Sequence, residues 1–418
     1  MTLQQIIGGI SLVLLILTFL CNTFQVVYLF VPFFIKRKPH SEPKRNRYAI
    51  LIAARNEEPV IGHLLDSITA QDYPKELITA YVVADNCSDN TANIAREHGA
   101  RVYSRFDAEH VGKGYAINYL LDKVHEEGTY ESYDAFLIID ADNLLCPDYI
   151  TQMNMTCSDG YDAFCGYRNS KNLGTNWISA CLAMWYLHDS THLNQSRMLL
   201  GTPCFVTGTG FGFTRELLDK LGGSWNFFLL TEDIEFSTYC ATRGIRIGYN
   251  HDAILFDEQP ETFRQSWRQR TRWTQGGIQV TFRYAKDYFK GIFRGGKIGY
   301  SSFEAMMLSM WGYFLGVLCG IFGLISTILS TGWHSVGVML LLSLPILYFS
   351  NLLVGILITI TEWKRMRVPT GRKIMATFAY PLYSITYIPI GVCALFRKFA
   401  WPPIEHTVAV SAESLIEK

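Results

Sequence analysis

The chain has 418 residues, 49% hydrophobic and only 18% charged, with 37 Lys and Arg balancing 37 Asp and Glu. Soluble domains average about 25% charged residues, so this chain is short of charge. Its 14% aromatic content and the lack of any repeat exclude a disordered, collagen-like or coiled-coil chain, and zero net charge argues against a nucleic-acid partner.

The deficit is uneven along the chain. Met1 to Ile35 carry no charged side chain, and Lys36, Arg37 and Lys38 follow directly. About 20 apolar residues suffice to cross a bilayer. A cleaved signal peptide would want a basic start, a shorter apolar core and a small-residue cleavage site. Residues 1–36 therefore read as a retained membrane helix.

From Arg47 onward, β-rich runs alternate with helical ones. Tyr48–Ala53 reads as a buried strand, followed by a helix from Glu57 to Gln71. Ile78–Ala84 is a second strand, with a helix starting near Asp89. Val102–Ser104 is a short third strand before a helix from Gly112 to His125, and Ala135–Ile139 is a fourth strand. Continuously apolar strands separated by helices predict an α/β domain with a mostly parallel sheet covered on both faces. In such sheets ligands bind at the carboxyl ends of the strands.

Those ends carry Ala54-Arg55-Asn56-Glu57, Asp85-Asn86-Cys87-Ser88-Asp89 and Asp140-Ala141-Asp142-Asn143. Any one carboxylate has an ordinary explanation as a turn or helix-cap residue. Three sets at successive strand ends form a pattern. Asp140 and Asp142, one residue apart at a strand exit, can share Mg²⁺ or Mn²⁺, a hard cation that usually also binds substrate phosphates. No GxxxxGK[ST] or GxGxxG loop is present to cradle phosphate by backbone amides. Ten scattered cysteines without a CxxC pair argue against a zinc site or a disulfide framework. His188 and His192 have i,i+4 spacing but no third ligand, and read as an ordinary helix surface.

Arg264 to Arg272, with Trp267 and Trp273, reads as an interfacial helix, and Phe282 to Lys297 as a second one leading into the membrane. Three further apolar segments follow, at about 305–330, 335–361 and 374–396, the second containing Pro345 and the third Pro381 and Pro389. The basic stretches Lys36 to Arg47 and Lys364 to Lys373 belong on the cytosolic side. Four spans with a cytosolic middle leave Arg397 and Lys398 on the outer side, unless the last segment is re-entrant or interfacial.

Seven motifs stand in order: AARNEE at 53–58, ADNCSDNT at 84–91, GKGYAIN at 112–118, DAD at 140–142, FVTGTGFGFTRE at 205–216, TED at 231–233 and Gln269-Arg270-Thr271-Arg272-Trp273. In these the sequence resembles the family 2 glycosyltransferases, specifically the membrane-integrated branch of cellulose, hyaluronan and related β-glycan synthases. The resemblance covers roughly Arg47 to Trp273 and extends to the flanking helices. It implies a GT-A-type nucleotide-sugar domain over 37–260, interface helices over 261–300, about three membrane segments over 301–398 and a tail over 399–418. It also implies an inverting transferase in the cell membrane with a cytosolic catalytic domain and membrane lipids around it. The donor would be a UDP-sugar, UDP-glucose first and UDP-N-acetylglucosamine next. The acceptor would be a growing β-glycan, extended processively and exported, or alternatively a membrane lipid receiving one sugar.

The resemblance assigns roles residue by residue. Ala54, Asn56, Glu57 and Asp85 would contact the nucleotide, with Asp85 at uridine and Lys113 nearby. Asp142, helped by Asp140, would hold Mg²⁺ or Mn²⁺. Thr207, Gly208 and Thr209 would lie under the acceptor sugar, and Asp233 would be the catalytic base beside Glu232. Gln269 and Arg272 would meet the diphosphate, Arg270 would join the substrate-binding set or else belong to the interfacial face, and Trp273 would offer its flat face to the acceptor ring. A degenerate, non-enzymatic relative would lack an acid at 140, 142 or 233, and all three are present.

Overall fold

The computed structural model describes residues 2–396, 406, 408–410 and 412–416. Eight strands form one sheet: β1 (Tyr48–Ala54), β2 (Ile78–Asp85), β3 (Arg101–Arg105), β4 (Ala135–Ile138), β5 (Leu144–Leu145), β6 (Ala163–Ser170), β7 (Phe211–Thr214) and β8 (Ile247–Asp257). Their order is β3-β2-β1-β4-β7-β6-β8-β5. The β3-β2-β1-β4 half is parallel, β7 runs antiparallel to both neighbours, and β6 and β8 are parallel.

The apolar runs have the expected consequence. Leu51, Tyr81, Val83, Phe136 and Ile138 pack on one face with Ile117, Leu120 and Leu121 of helix Lys113–Glu126. Ile50, Ile52, Val82 and Leu137 pack on the other with Leu64, Leu65 and Ile68 of helix Ile61–Thr69. Both faces are dry, so no polar alternation survives along these strands. The register pairs Ala54 with Ala84, bringing the exits of β1 and β2 level.

Several boundaries differ from the sequence reading. The first helix of the domain begins at Ile61 rather than Glu57, because Glu57 donates its N–H across to Thr91 Oγ1 (2.9 Å) instead of opening a helix. Gly295, at φ 68°, divides the second interfacial stretch into Ala285–Arg294 and Gly296–Leu308. Extended Ser309 then delays the next span, which runs Met310–Thr331. His192 is not on a helix surface: it is buried in a π-helical turn, Asp189–Asn194, with Nε2 3.1 Å from Thr361 Oγ1. Burial drives His188 down to about 3 and His192 down to about 4, so both rings are neutral packing groups.

Four helices among the described residues are long and apolar enough to cross a membrane: Leu3–Phe34, Met310–Thr331, Trp333–Thr361 and Thr370–Phe396. Gly332, at φ 78°, makes the turn between the second and third. The last is two helices, Thr370–Ile385 and Tyr387–Phe396, joined at Thr386. The Arg397–Lys398 pair lies outside the described residues. Small residues let the first two spans approach: a Cβ on Gly8 would sit 3.6 Å from Ser326 Oγ, and one on Gly323 3.8 Å from Ser11 Oγ.

Buried polar groups tie the spans to the sheet. Tyr28 of the first span meets Tyr300 (2.8 Å) and Glu304 (3.0 Å), and Glu304 accepts from Arg197 Nε (2.6 Å). Glu362, just past the third span, accepts from Thr191 (2.6 Å) and from Tyr167 of β6 (2.5 Å). All ten cysteines are free.

Candidate active site

The carboxyl ends of β1, β2 and β4 open into a cavity of about 670 Å³ that runs on to the membrane helices. Ala54 and Glu57 line it after β1, and Asp85 at the end of β2. Asn56 does not. It adopts a left-handed conformation (φ 57°), and its Oδ1 accepts from Ser88 N (2.8 Å), stitching the two strand exits together. Asparagine tolerates that conformation better than most residues.

Lys113 opens helix Lys113–Glu126 and reaches into the cavity. Its ammonium donates to Gly208 O (2.7 Å), lies 2.5 Å from Asp140 Oδ1 and 3.8 Å from Glu232 Oε1. Burial lowers the Lys113 pKa, but Asp140 and Glu232 outweigh that and hold it above its ordinary value. The glycines either side explain the GKG spacing. Gly112 sits at φ 148°, and a Cβ on Gly114 would lie 2.1 Å from Phe227 O.

After β4, Asp140 and Asp142 point into the cavity. Thr209 supports them from behind: it accepts from Asp140 N (2.8 Å) and donates to Asn143 Oδ1 (2.6 Å). Thr207 and Gly208 line the cavity whereas Thr209 does not. Gly208 and Gly210 have positive φ (88° and 66°). Among the described residues no group of three or more His, Cys, Asp or Glu side chains forms a ready-made metal cage. Two carboxylates at one strand exit instead make a half-shell of hard oxygens. That donor set suits Mg²⁺ or Mn²⁺, which usually complete their coordination with water and substrate phosphate.

Glu232 and Asp233 start helix Glu232–Arg243, and both line the cavity. Thr231 holds the cap position, yet its hydroxyl makes no capping bond and finds no partner. Glycine at 276 lets the neighbouring helix press against it, since a Cβ there would come within 2.4 Å of Thr231 Oγ1. Burial pushes Glu232 up to about 7, against the pull of Lys113. Burial also raises Asp233, opposed by the backbone N–H groups of Ile234 and Gly208 and by Lys113 and Arg272.

Helix Phe263–Arg283 presents Gln269, Arg272 and Trp273 to the cavity. Trp273 stacks on Trp185 (6.4 Å between centroids, 28°) and meets Tyr186 edge-on (6.3 Å). Arg270 corrects the sequence reading. It points away from the cavity, wholly buried, and donates to Thr386 Oγ1 (2.7 Å) and Tyr383 O (3.3 Å) with its guanidinium 4.0 Å over the Tyr383 ring. Arg270 instead bridges this helix to the last membrane segment, also meeting Ser266 O one turn back.

Three groups lining the cavity went unnoticed in the sequence. His406 comes from the far end of the chain, with Nδ1 2.9 Å from Glu57 Oε2 and Nε2 3.9 Å from Asp142 Oδ2. Val410, Ala412 and Leu415 pack nearby on Leu144, Cys146 and Phe256. Burial lowers the His406 pKa, but Asp142 and Glu57 raise it further, to about 10. Arg168 of β6 pairs with Asp257, donates to Thr207 O and stacks over Tyr186 at 3.7 Å. Asn22 and Gln25 bring amides from the first span. Those two could have been noticed, since polar side chains within a membrane helix usually mark a site; His406 carried no such signal.

The profile of glycosyltransferase like family 2 matches residues 44–276. The chain belongs to this family. It is 28% identical over 255 residues to the probable glycosyltransferase YdaM of Bacillus subtilis (strain 168), an alignment covering 58% of each chain. It is also 28% identical over 244 residues to the poly-beta-1,6-N-acetyl-D-glucosamine synthase of Staphylococcus aureus (strain COL), covering 57% of this chain and 56% of that one. The match thus spans somewhat over half the length of these relatives. A solved structure of mannosyltransferase PcManGT from Pyrobaculum calidifontis, in complex with GDP-Man and Mn²⁺, superposes with a TM-score of 0.57 at 18% identity, over 93% of this chain and 99% of that one. The fold is accordingly GT-A-like, with a mostly parallel sheet and four candidate membrane-spanning helices. Residues 44–276 thus form a family 2 glycosyltransferase domain in a chain that carries four helices long and apolar enough to cross a membrane among its described residues.

Proposed function

We propose that this chain is an inverting glycosyltransferase of the cell membrane that moves a sugar from a UDP-sugar to a growing β-glycan, processively and with export of the product. The observation that carries the reading is one continuous cavity. It joins the strand-end acids, the Glu232–Asp233 pair and Trp273 to amides and aromatics of the spans, Asn22, Gln25, Tyr313 and Tyr387. In this reading residues 1–36 anchor a cytosolic catalytic domain (37–260), followed by interface helices (261–300), membrane segments (301–398) and a tail (399–418).

Asp233 takes the proton from the acceptor hydroxyl as that oxygen attacks the anomeric carbon; its burial raises its basicity above that of an exposed carboxylate. Ala54, Asp85 and Lys113 hold the nucleotide, and Arg272 with Gln269 donates to the departing diphosphate. The chemistry that bound Mg²⁺ or Mn²⁺ supplies, on Asp142 and Asp140, is neutralisation of charge on the leaving group. Thr207 and Gly208 floor the acceptor side, and Trp273 and Trp185 supply flat faces for a sugar ring. UDP-N-acetylglucosamine and UDP-glucose are the donors to test first. The Staphylococcus relative, a poly-beta-1,6-N-acetyl-D-glucosamine synthase, favours the former, and the resemblance to β-glucan synthases the latter.

Transfer of one sugar to a membrane lipid is the second reading. Met307, Leu308 and Met310 give the membrane end of the cavity an apolar side that an acyl chain could follow. Incubating the purified full-length chain with each UDP-sugar, and measuring UDP release and product mass, separates the two. High-mass polymer supports the first reading and a single glycolipid the second. No UDP release with any donor and divalent metal refutes both.

A further inference from the structure

The last residues of β2 and β3, Asp85 and Arg105, face each other in register at the donor end of the cavity. Both are nearly buried, at 5% and 9% exposure, which is unusual for charged groups unless paired. Their contact is 2.6 Å, from Arg105 Nη1 to Asp85 Oδ1. An ordinary buried ion pair would end there, but both terminal nitrogens of Arg105 are engaged. Its Nη2 donates to Asp107 Oδ2 (3.0 Å) and to His110 O (2.8 Å). Asn86, held left-handed at φ 52°, closes the ring: its Nδ2 donates to Asp85 Oδ1 (3.2 Å) and Asp107 O (3.0 Å), and its Oδ1 accepts from Asp107 N (3.0 Å).

Two consequences follow for the cavity wall. Asp85 is held by one oxygen only; among the described residues, Oδ2 has no assigned donor, and Asp85 lines the cavity. The bond to the His110 carbonyl also fixes the loop that leads into Val111 and Gly112, which line the cavity together with Ala53 and Ala54. Small, flat walls with one fixed acceptor at the edge are what a planar heterocycle with a ring N–H requires.

We propose that Arg105 is the positioning residue of a nucleobase pocket, holding Asp85 as a fixed acceptor for a ring N–H of the donor base. Arg105 acts through Asp85 and through the 106–112 loop and itself touches no substrate. A carboxylate acceptor fits the N3–H of uracil and the N1–H of guanine, and it opposes the lone pairs at N3 of cytosine and N1 of adenine. This inference rests on the reading of the chain as a nucleotide-sugar transferase and on Asp85 as its uridine contact; it adds the residue that holds that acceptor in place.

The test uses the full-length chain in detergent with Mn²⁺, titrated calorimetrically with UDP, GDP, CDP and ADP. A hydrogen bond to a charged group corresponds to roughly a 10- to 100-fold preference, so UDP should bind that much more tightly than CDP. In Arg105→Met the preference should collapse as UDP falls to the CDP level. The KM for UDP-sugar should rise by a similar factor with kcat within about threefold of wild type, the signature of lost uniform binding. Arg105→Lys should recover part of the preference. Asp107→Asn, which loosens the fork without removing it, should lie between, and it carries the test if Arg105→Met fails to fold. Retention of the UDP-over-CDP preference in both variants overturns the proposal, as does equal wild-type affinity for UDP and CDP. So does a fall in kcat at unchanged KM. A wild-type chain that binds no nucleoside diphosphate at all refutes instead the transferase reading beneath it.

Discussion

Gly114 offers the sharpest test of the site's geometry. An ideal Cβ there would lie 2.1 Å from Phe227 O, 3.2 Å from Phe227 C and 3.3 Å from Phe228 Cα, all backbone atoms with no rotamer to yield. In Gly114→Ala the Phe227 peptide must retreat by about 1 Å to reach an ordinary contact distance. Overpacking of this kind costs about 1–3 kcal/mol, against a gain of about 0.5–1 kcal/mol from replacing a helical glycine. A net loss of about 1–2 kcal/mol corresponds to a melting temperature lower by roughly 2–8 °C in a domain of this size. The displaced peptide leads within six residues to Glu232 and Asp233, whose neighbour Lys113 sits beside the substitution. A shift of about 1 Å at a reacting group can lower the rate about 100-fold. Gly371→Ala is the control, because a Cβ there meets nothing within 4 Å; it should be neutral or slightly stabilising. Thermal melting of the detergent-solubilised chain and steady-state turnover decide the matter. Wild-type melting and wild-type kcat in Gly114→Ala would refute the close approach.

Asp233→Asn should lower kcat by about 10²–10⁴ while calorimetry finds UDP affinity nearly unchanged; near-normal turnover would remove Asp233 as the base. Burial raises the Asp233 pKa, and the base works only when ionised, so activity should fall as pH drops through that raised value. The acid limb of the kcat profile should then lie above the pH near 3.9 expected of an exposed aspartate, and a limb at that pH contradicts the assignment. Arg270→Met should lower the melting temperature through loss of its bonds to Thr386 and Tyr383, at about 1–3 kcal/mol, with UDP affinity intact. Arg272→Met should do the reverse, and equal losses of UDP affinity in both would place Arg270 in the cavity after all. Excess chelator should abolish turnover and Mn²⁺ restore it; turnover that persists in chelator would sink the role given to Asp140 and Asp142.

What sequence could reveal of this site depended on how locally each group is positioned. Asp85, Lys113, Asp140 and Asp233 stand at element ends, where one motif fixes both the residue and its direction, and all four line the cavity. Asn56 and Thr209 belong to the same motifs but serve as struts, one bonded to Ser88 and the other to Asp140 N and Asn143. Nothing in a motif's spelling separates a residue that faces ligand from one that braces it. His406 lies 349 positions from its partner Glu57, and no local pattern encodes that meeting. The His188–His192 spacing misled for a related reason: periodicity reports a shared face, and only packing against Thr361 makes that face buried.

The same limit explains why the Gln-x-x-Arg-Trp helix couples the membrane to the chemistry. Helix Phe263–Arg283 has two functional faces. One carries Gln269, Arg272 and Trp273 into the cavity; the other sends Arg270 into Tyr383 and Thr386, where the last membrane segment breaks. One turn further on, Gly276 packs against Thr231, the residue before the Glu232–Asp233 pair. The helix therefore touches both the membrane break, through Arg270, and the start of the helix that carries Asp233, through Gly276. Because the Asp233 helix packs on the sheet through Phe236 against Phe211 and Phe213, whereas Arg270 ties the Trp273 helix to the last span, a shift of that span relative to the sheet would change the spacing between Trp273 and Asp233.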